Sequence, residues 1–301
     1  MFNQATASNL SAAESIREAF PFRVEKLPLS GPDNMPTDLY GLFRDDNGQL
    51  VGRKSVTRGY KAHQTEDLVA IAEAASHVFE GGIKAKCHWI KNGGHWVTIE
   101  PTREYQLSVF GTKDDVFPRV FINASYNASF IANIGWYRNL CRNLAMLQEA
   151  GPSICQKIRH THSLTTKISD LIEDLRGLRK GWEDTKDTIR RMSEVEANAG
   201  EFIREVFPLP EEPTPQQVRN SDSRFDAIYN RLANESNHLG LSIPYRHHPS
   251  VRANGWLLFN AVQGYVQHDM SRRGRPSRFD RMTSAFDQPE VRRASQLILA
   301  A

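Results

Sequence analysis

Residues 83–100, IKAKCHWIKNGGHWVTIE, read as a strand, a tight turn and a returning strand. Ala85, Cys87 and Trp89 alternate with Lys84, Lys86 and His88, the period of a strand with one face buried and one face wet. Upstream, residues 39–44 and 49–56 flank Asp45-Asp-Asn-Gly48, whose Asn-Gly pair supplies the positive φ angles of a second hairpin. Downstream, residues 103–110 and 116–123 add two more strands. Ser11 and Glu14 form a capping-box pattern that starts a short helix ending near Phe20, before Pro21. Thr65 is placed to cap a helix carrying Leu68, Ile71, Ala75 and Val78 on one face, stopped by Gly81-Gly82. These elements predict an α+β fold whose N-terminal part is mainly antiparallel sheet with flanking helices.

An Asn/Ser/Tyr cluster follows at Asn123, Ser125, Tyr126, Asn127 and Ser129, then an arginine-bearing amphipathic stretch at residues 137–144, read as helical. A basic strand with Lys157, Arg159, His160 and His162 closes this region. From Leu164 the pattern changes. Apolar positions recur at alternating spacings of four and three through Leu171, Trp182, Ile189 and Phe202 to Val206, a heptad seam with Thr185 among its members. Prolines at 208, 210, 213 and 215 end it, and a helix over residues 216–237 can return antiparallel, which predicts a helical hairpin arm. Asn254 caps a further helix with Leu258, Val262, Tyr265 and Val266 on its core face, and a last helix spans residues 289–300. Two domains are expected: a sheet domain at 1–162 and a helical region at 163–301, with the arm at 163–239 and C-terminal helices and a basic segment at 240–301.

A formal net charge of +3 on 301 residues says little about partners, whereas its distribution says more. Residues 163–239 carry 11 basic and 15 acidic side chains, a net of −4, and residues 240–301 carry 9 and 4, a net of +5. No apolar run approaches the roughly 20 residues that span a bilayer, and the first ten residues lack a basic start followed by an apolar block, so a cytoplasmic protein without membrane contact is expected. The three cysteines lack metal-ligand spacing and read as reduced thiols.

Several segments resemble one family. Residues 52–70, with Tyr60 and Gln64 ahead of a helix, look like the glycine-rich strand and Tyr-x-x-x-Gln segment of the domain of unknown function 932 family, a phage- and plasmid-associated group. Residues 121–129 resemble its Asn/Ser strand end, 137–144 its Arg-x-x-Cys-x-Asn element, 158–161 the following strand, and 254–261 with Tyr265 and His268 its C-terminal helix. Ser125 and Tyr126 stand where that family shows histidine and aspartate, so a chemistry relying on those two groups does not carry over. The family has no assigned activity, and the resemblance implies a mobile-element origin more than a reaction.

Cations beside aromatics recur in the first half: Arg53, Lys54, Arg58 and Tyr60; Lys84, Lys86 and Trp89; Arg138 and Arg142; Lys157 and Arg159. Cations neutralise phosphates, and aromatic faces stack on unpaired bases. The expectation is a non-enzymatic protein that binds single-stranded DNA or RNA, suited to strand annealing or recombination and acting as a homo-oligomer. Tyr60 and Trp89 would stack bases, with no catalytic residue, metal or cofactor. A factor that engages a host or defence protein through the arm is the alternative, and a metal-dependent nuclease is a further one. His88 and His95 with Cys87 across the hairpin, and His160 with His162, are its potential ligands, short of the second shell a zinc site needs.

Overall fold

The computed structural model describes residues 11–79, 82–90, 93–101, 107–109, 114–138, 144–145, 155–270 and 288–301. Ser11 Oγ accepts the Glu14 amide while the Glu14 carboxylate accepts the Ser11 amide, and this reciprocal cap launches α1 (Ala12–Ala19). The chain then forms an antiparallel meander of β1 (Val24–Ser30), β2 (Pro36–Arg44) and β3 (Leu50–Val56). Gly48 takes the positive φ expected of the Asn-Gly turn. α2 (Thr65–Val78) is capped one residue earlier than expected, by Gln64: the Gln64 amide donates to Asp67 at 2.7 Å, and the Thr65 hydroxyl instead donates to the Phe20 carbonyl at 2.9 Å. A threonine inside the first turn is free to bond outside the helix, and here it ties the helix to the segment after α1.

The second sheet contains β4 (Ile83–Trp89), β5 (Gly94–Pro101), β6 (Leu107–Val109), β7 (Asp114–Ser125), β8 (Phe130–Arg138), β9 (Leu144–Ala145) and β10 (Cys155–Ile158). Its order is β10-β8-β7-β5-β4, with β6 paired to β7 and β9 to β8, and every described ladder is antiparallel. Tyr137 and Arg138 therefore end a strand and do not open a helix. Tyr137 pairs with Leu144 and Trp136 with Ala145, so residues that read as one amphipathic face are opposite one another in a ladder. Residues 139–143, including Cys141 and Arg142, lie outside the described residues.

The helical part comprises α3 (Leu164–Arg176), α4 (Leu178–Glu194), α5 (Ala199–Val206), α6 (Pro215–His238), α7 (Gly255–His268) and α8 (Pro289–Ala300), with a short ladder of β11 (Glu196–Asn198) and β12 (Arg252–Asn254). Nearly every described seam residue is buried, as its spacing requires. Thr185 fits among apolar neighbours because its hydroxyl donates to the Gly181 carbonyl at 2.7 Å within the same helix. The seam does not build a single arm, however. α3 packs on α2 and β10, whereas α6 packs on α5 and α7. A heptad spacing identifies the face that must be covered, and it is silent about which element covers it.

Two units result. One comprises Met1–Tyr105, Pro118–Ile134 and Ile154–Arg179; the other comprises Gln106–Phe117, Gly135–Ser153 and Lys180–Ala301. The division falls within the seam, not before it, and strands β7 and β8 contribute residues to both units. The first unit's core lies between the sheet and α1, α2 and α3, with Ile16, Leu68, Ile71, Val97, Ile122 and Leu171 each at most 1% exposed. In the second, α7 is buried on nearly all sides, and α6 and α8 pack against it. The fold is α+β.

The turn before β5 also fixes the first unit. Gly93 has φ +86° and Gly52 on β3 the same value, and a Cβ on Gly93 would collide with the Gly52 backbone. Gly93→Ala is accordingly expected to destabilise the protein by more than about 1 kcal/mol in urea denaturation, because it meets both a left-handed conformation and a backbone neighbour.

Candidate nucleic-acid interface and two buried polar clusters

Strand register decides which side chains share a face. Lys84 pairs with Glu100, Lys86 with Thr98 and His88 with Trp96 on β4 and β5; Trp96 then pairs with Asn123 and Thr98 with Phe121 on β7. Opposite residues of a ladder project to the same side. The neighbouring positions Val97, Ile99, Val120, Ile122, Phe130, Ala132 and Ile158 form the core under the helices. Lys157, adjacent to Ile158 and paired with Ile131, therefore projects to the same side as Lys84 and Lys86, the side away from α1, α2 and α3. This face carries exposed lysines on both sheet-edge strands, β4 and β10, with half-buried Trp96 and Asn123 and buried Phe121 between them. Four strand spacings separate the two edges, about 19 Å. Glu100 sits among the cations, 3.4 Å from Lys86 and 2.5 Å from Arg119.

The other expected contact residues are dispersed. Trp89 turns to the helix side, where its ring lies edge-on to Phe22 at 5.2 Å and to His95 at 5.1 Å, so its stacking partners are core rings. Tyr60 is likewise engaged, stacked on His160 at 4.9 Å and donating its hydroxyl to the Tyr126 carbonyl at 2.9 Å. Arg53 and Lys54 lie on β3, with side chains outside the described set. Arg58 is exposed in the following turn, and Arg159 is exposed just after β10. Arg138 is 0% exposed and belongs to the second unit.

Beneath the sheet, on its core side, three histidines form a line. His160 Nδ1 is 3.1 Å from the Ala128 carbonyl, His160 Nε2 is 2.9 Å from His63 Nδ1, and His63 Nε2 is 2.9 Å from His95 Nδ1. A carbonyl can only accept, so His160 carries its proton on Nδ1 and accepts at Nε2. Neutral His63 must then donate from Nδ1 and accept at Nε2, and His95 must donate from Nδ1, which leaves His95 Nε2 as a buried lone pair without a partner. One backbone carbonyl thereby sets three tautomers. Burial holds all three rings neutral: it lowers His63 well below its usual value, reinforced by His95 and His160, lowers His95 to about 3 and lowers His160 to about 4. Tyr126 stacks on His63 at 4.1 Å and donates to the His63 carbonyl at 3.1 Å.

Such a line can pass a proton from ring to ring. It does not converge on a point, because His63 spends its two nitrogens on opposite neighbours, and among the described residues no group of three or more His, Cys, Asp or Glu could hold a metal ion. Burial also pushes the Cys87 thiol up to about 12, far from a nucleophile's range. His63 was not legible as a functional residue. It lies 97 positions from His160 and 32 from His95, so no local spacing announces the line.

The second unit holds a buried ionic cluster. Arg138 donates from Nε to Asp114 at 3.0 Å, from one terminal nitrogen to Asp114 at 2.7 Å and from the other to Glu235 at 2.8 Å. Trp256 Nε1 donates to the same Asp114 carboxylate at 3.2 Å, and the guanidinium carbon lies 5.6 Å from a Trp256 ring centre. Asn254 positions that indole by capping α7 through the Trp256 amide at 2.9 Å.

The segments that resemble a known family gather in these two clusters. Residues 52–70, 121–129 and 158–161 supply His63, Tyr126 and His160 to the first, while 137–144 and 254–261 supply Arg138 and Trp256 to the second. The family model for the domain of unknown function 932 matches residues 53–295, most of the chain. The protein belongs to that family. No curated protein and no solved structure matches it. No helix among the described residues is long and apolar enough to cross a membrane.

Proposed function

We propose that the protein binds single-stranded nucleic acid on the face of its large sheet that lies away from α1, α2 and α3. The observation that supports this most is the register that gathers Lys84, Lys86 and Lys157 on one face with Trp96, Phe121 and Asn123 between them. Phosphates would lie against the edge lysines and an unpaired base beside the half-buried Trp96, while Phe121, 8% exposed and 5.5 Å from the Arg119 guanidinium, supports the face from within; a single strand suits this because a duplex keeps its base faces stacked. The base-stacking role expected of Trp89 passes to Trp96, one hairpin turn later. Lys86 and Arg119 contribute less than a bare count suggests, since Glu100 already engages both.

Electrophoretic shift of a labelled single-stranded oligonucleotide tests this. With about three phosphates neutralised, affinity should fall about 20-fold between about 50 and about 200 mM salt. Lys84→Glu combined with Lys157→Glu should weaken binding at least tenfold and flatten the salt dependence by more than one contact's share. Unchanged affinity in that variant, or no binding at either salt concentration, would remove the sheet face from consideration. Cleavage on addition of a divalent metal would favour a nuclease instead.

A further inference from the structure

The meander of β1, β2 and β3 carries apolar side chains on both faces, and the first unit buries only one of them. Val24, Leu42 and Val51 line the inner face and join the core. On the outer face Leu27 stands opposite Gly41, Glu25 opposite Phe43, and Phe43 opposite Leu50. Leu39, two residues before Gly41 on the same strand, projects the same way. A Cβ on Gly41 would meet the Phe43 ring at 2.5 Å and Leu29 Cδ2 at 3.1 Å, so those two side chains close over the glycine and extend the face. Leu27 is 44% exposed, Leu39 45% and Leu50 54%, while Met35, 63% exposed, sits in the turn that joins β1 to β2 at the end of this face.

These four side chains leave roughly 400 Å² of apolar surface in water, the size at which a patch on a folded chain marks a contact. A standard interface buries about 1,600 Å², of which somewhat more than half, about 900 Å², is apolar. Two copies laid outer face to outer face would remove about 800 Å² from these residues alone, before Leu29 and Phe43 add theirs, so a second copy supplies what a stable dimer needs. Charge agrees with area. Glu25 is the one ionisable residue among these outer positions, so the face meets its own copy with little like-charge repulsion. Pairing through the strand edge is the competing geometry, and Pro28 with the register shift beside it interrupts the free edge of β1.

We infer that the outer face of the meander is a two-fold contact between two copies of this chain, with Leu27, Leu39 and Leu50 at its centre. This contact uses the small sheet and is independent of nucleic-acid binding, so either can fail without the other.

Sedimentation velocity of the full chain between about 1 and about 100 μM tests it, and should show a reversible dimer with a Kd in the micromolar range or below, as interfaces of this area give. Raising the salt concentration should leave the dimer intact, because apolar burial drives it. Leu27→Asp combined with Leu39→Asp puts four carboxylates into the contact and should raise Kd at least about 100-fold, and Leu27→Lys combined with Leu39→Lys should do the same. Both leucines are nearly half exposed, so these variants should keep the wild-type circular dichroism melt. A wild type that stays monomeric at the highest concentration would overturn the inference and leave the face to a different partner. A dimer that persists in the charged variants would overturn it by placing the contact elsewhere. Should the aspartate variant not fold, the wild-type series and the lysine variant still decide.

Discussion

Replacement of Arg138 by methionine is expected to destabilise the protein by about 3–5 kcal/mol, the largest effect of any single substitution considered. Arg138 and Asp114 are each 0% exposed, and Glu235 is 8% exposed. The guanidinium spreads one positive charge over two carboxylates, and without it those buried carboxylates lose the counter-charge and the hydrogen bonds that it supplies. The apolar replacement keeps much of the volume, so the loss isolates charge and hydrogen bonding from packing. Urea denaturation followed by circular dichroism measures it. If the interpretation is right, adding Asp114→Asn and Glu235→Gln to Arg138→Met should recover part of the loss, since neutral amides need no counter-charge. A loss below about 1 kcal/mol would mean that water or neighbouring groups already screen the carboxylates, as at a surface pair. The total stability of a domain is about 5–15 kcal/mol, so the single substitution is expected to leave the second unit close to its unfolding limit.

The second large effect is acid lability set by the histidine line. Above pH 6.5 neither the folded nor the unfolded chain protonates these rings, and they leave stability independent of pH. As the pH falls from 6.5 toward about 4 for His160 and about 3 for His95, the unfolded chain takes up protons that the folded chain refuses. Each ring then subtracts about 1.4 kcal/mol per pH unit, and the loss levels off below its folded-state value. His160 alone accounts for roughly 3 kcal/mol across that window. The folded protein should therefore lose most of its stability between pH 6 and pH 4. Nuclear magnetic resonance of the imidazoles separates this from carboxylate titration: all three rings should remain neutral, with Nδ1 protonated, at pH 5.5 in the folded state. Titration near pH 6.5 would show that water reaches the line.

Local chemistry made much of the fold legible. Ser11 and Glu14, the Asn-Gly turn at Gly48, the alternation of residues 83–89 and the Asn254 cap each act over a few residues, and each element formed where its chemistry placed it. The strand from Phe130 to Arg138 was concealed because its last residues continue into an Arg/Leu pattern that also suits a helix. The seam was correct in burial and uninformative about its partner, since spacing encodes a face but not its neighbour. At the interface, parity was the usable signal. Trp89 shares its strand parity with Ala85 and Cys87, so proximity along the chain to Lys84 and Lys86 pointed to the wrong face, while the turn geometry carried Trp96 to the lysine side. The histidine line and the Arg138 cluster are assembled across separations of up to 142 residues, and nothing short of the folded topology brings them together.

Photocrosslinking addresses the central proposal most directly. A single strand carrying a photoreactive base should attach to Trp96 on the sheet face away from α1, α2 and α3, with attachment lost at high salt. Attachment to Trp89 and Tyr60, to the outer meander of β1–β3, or to nothing at all would contradict it.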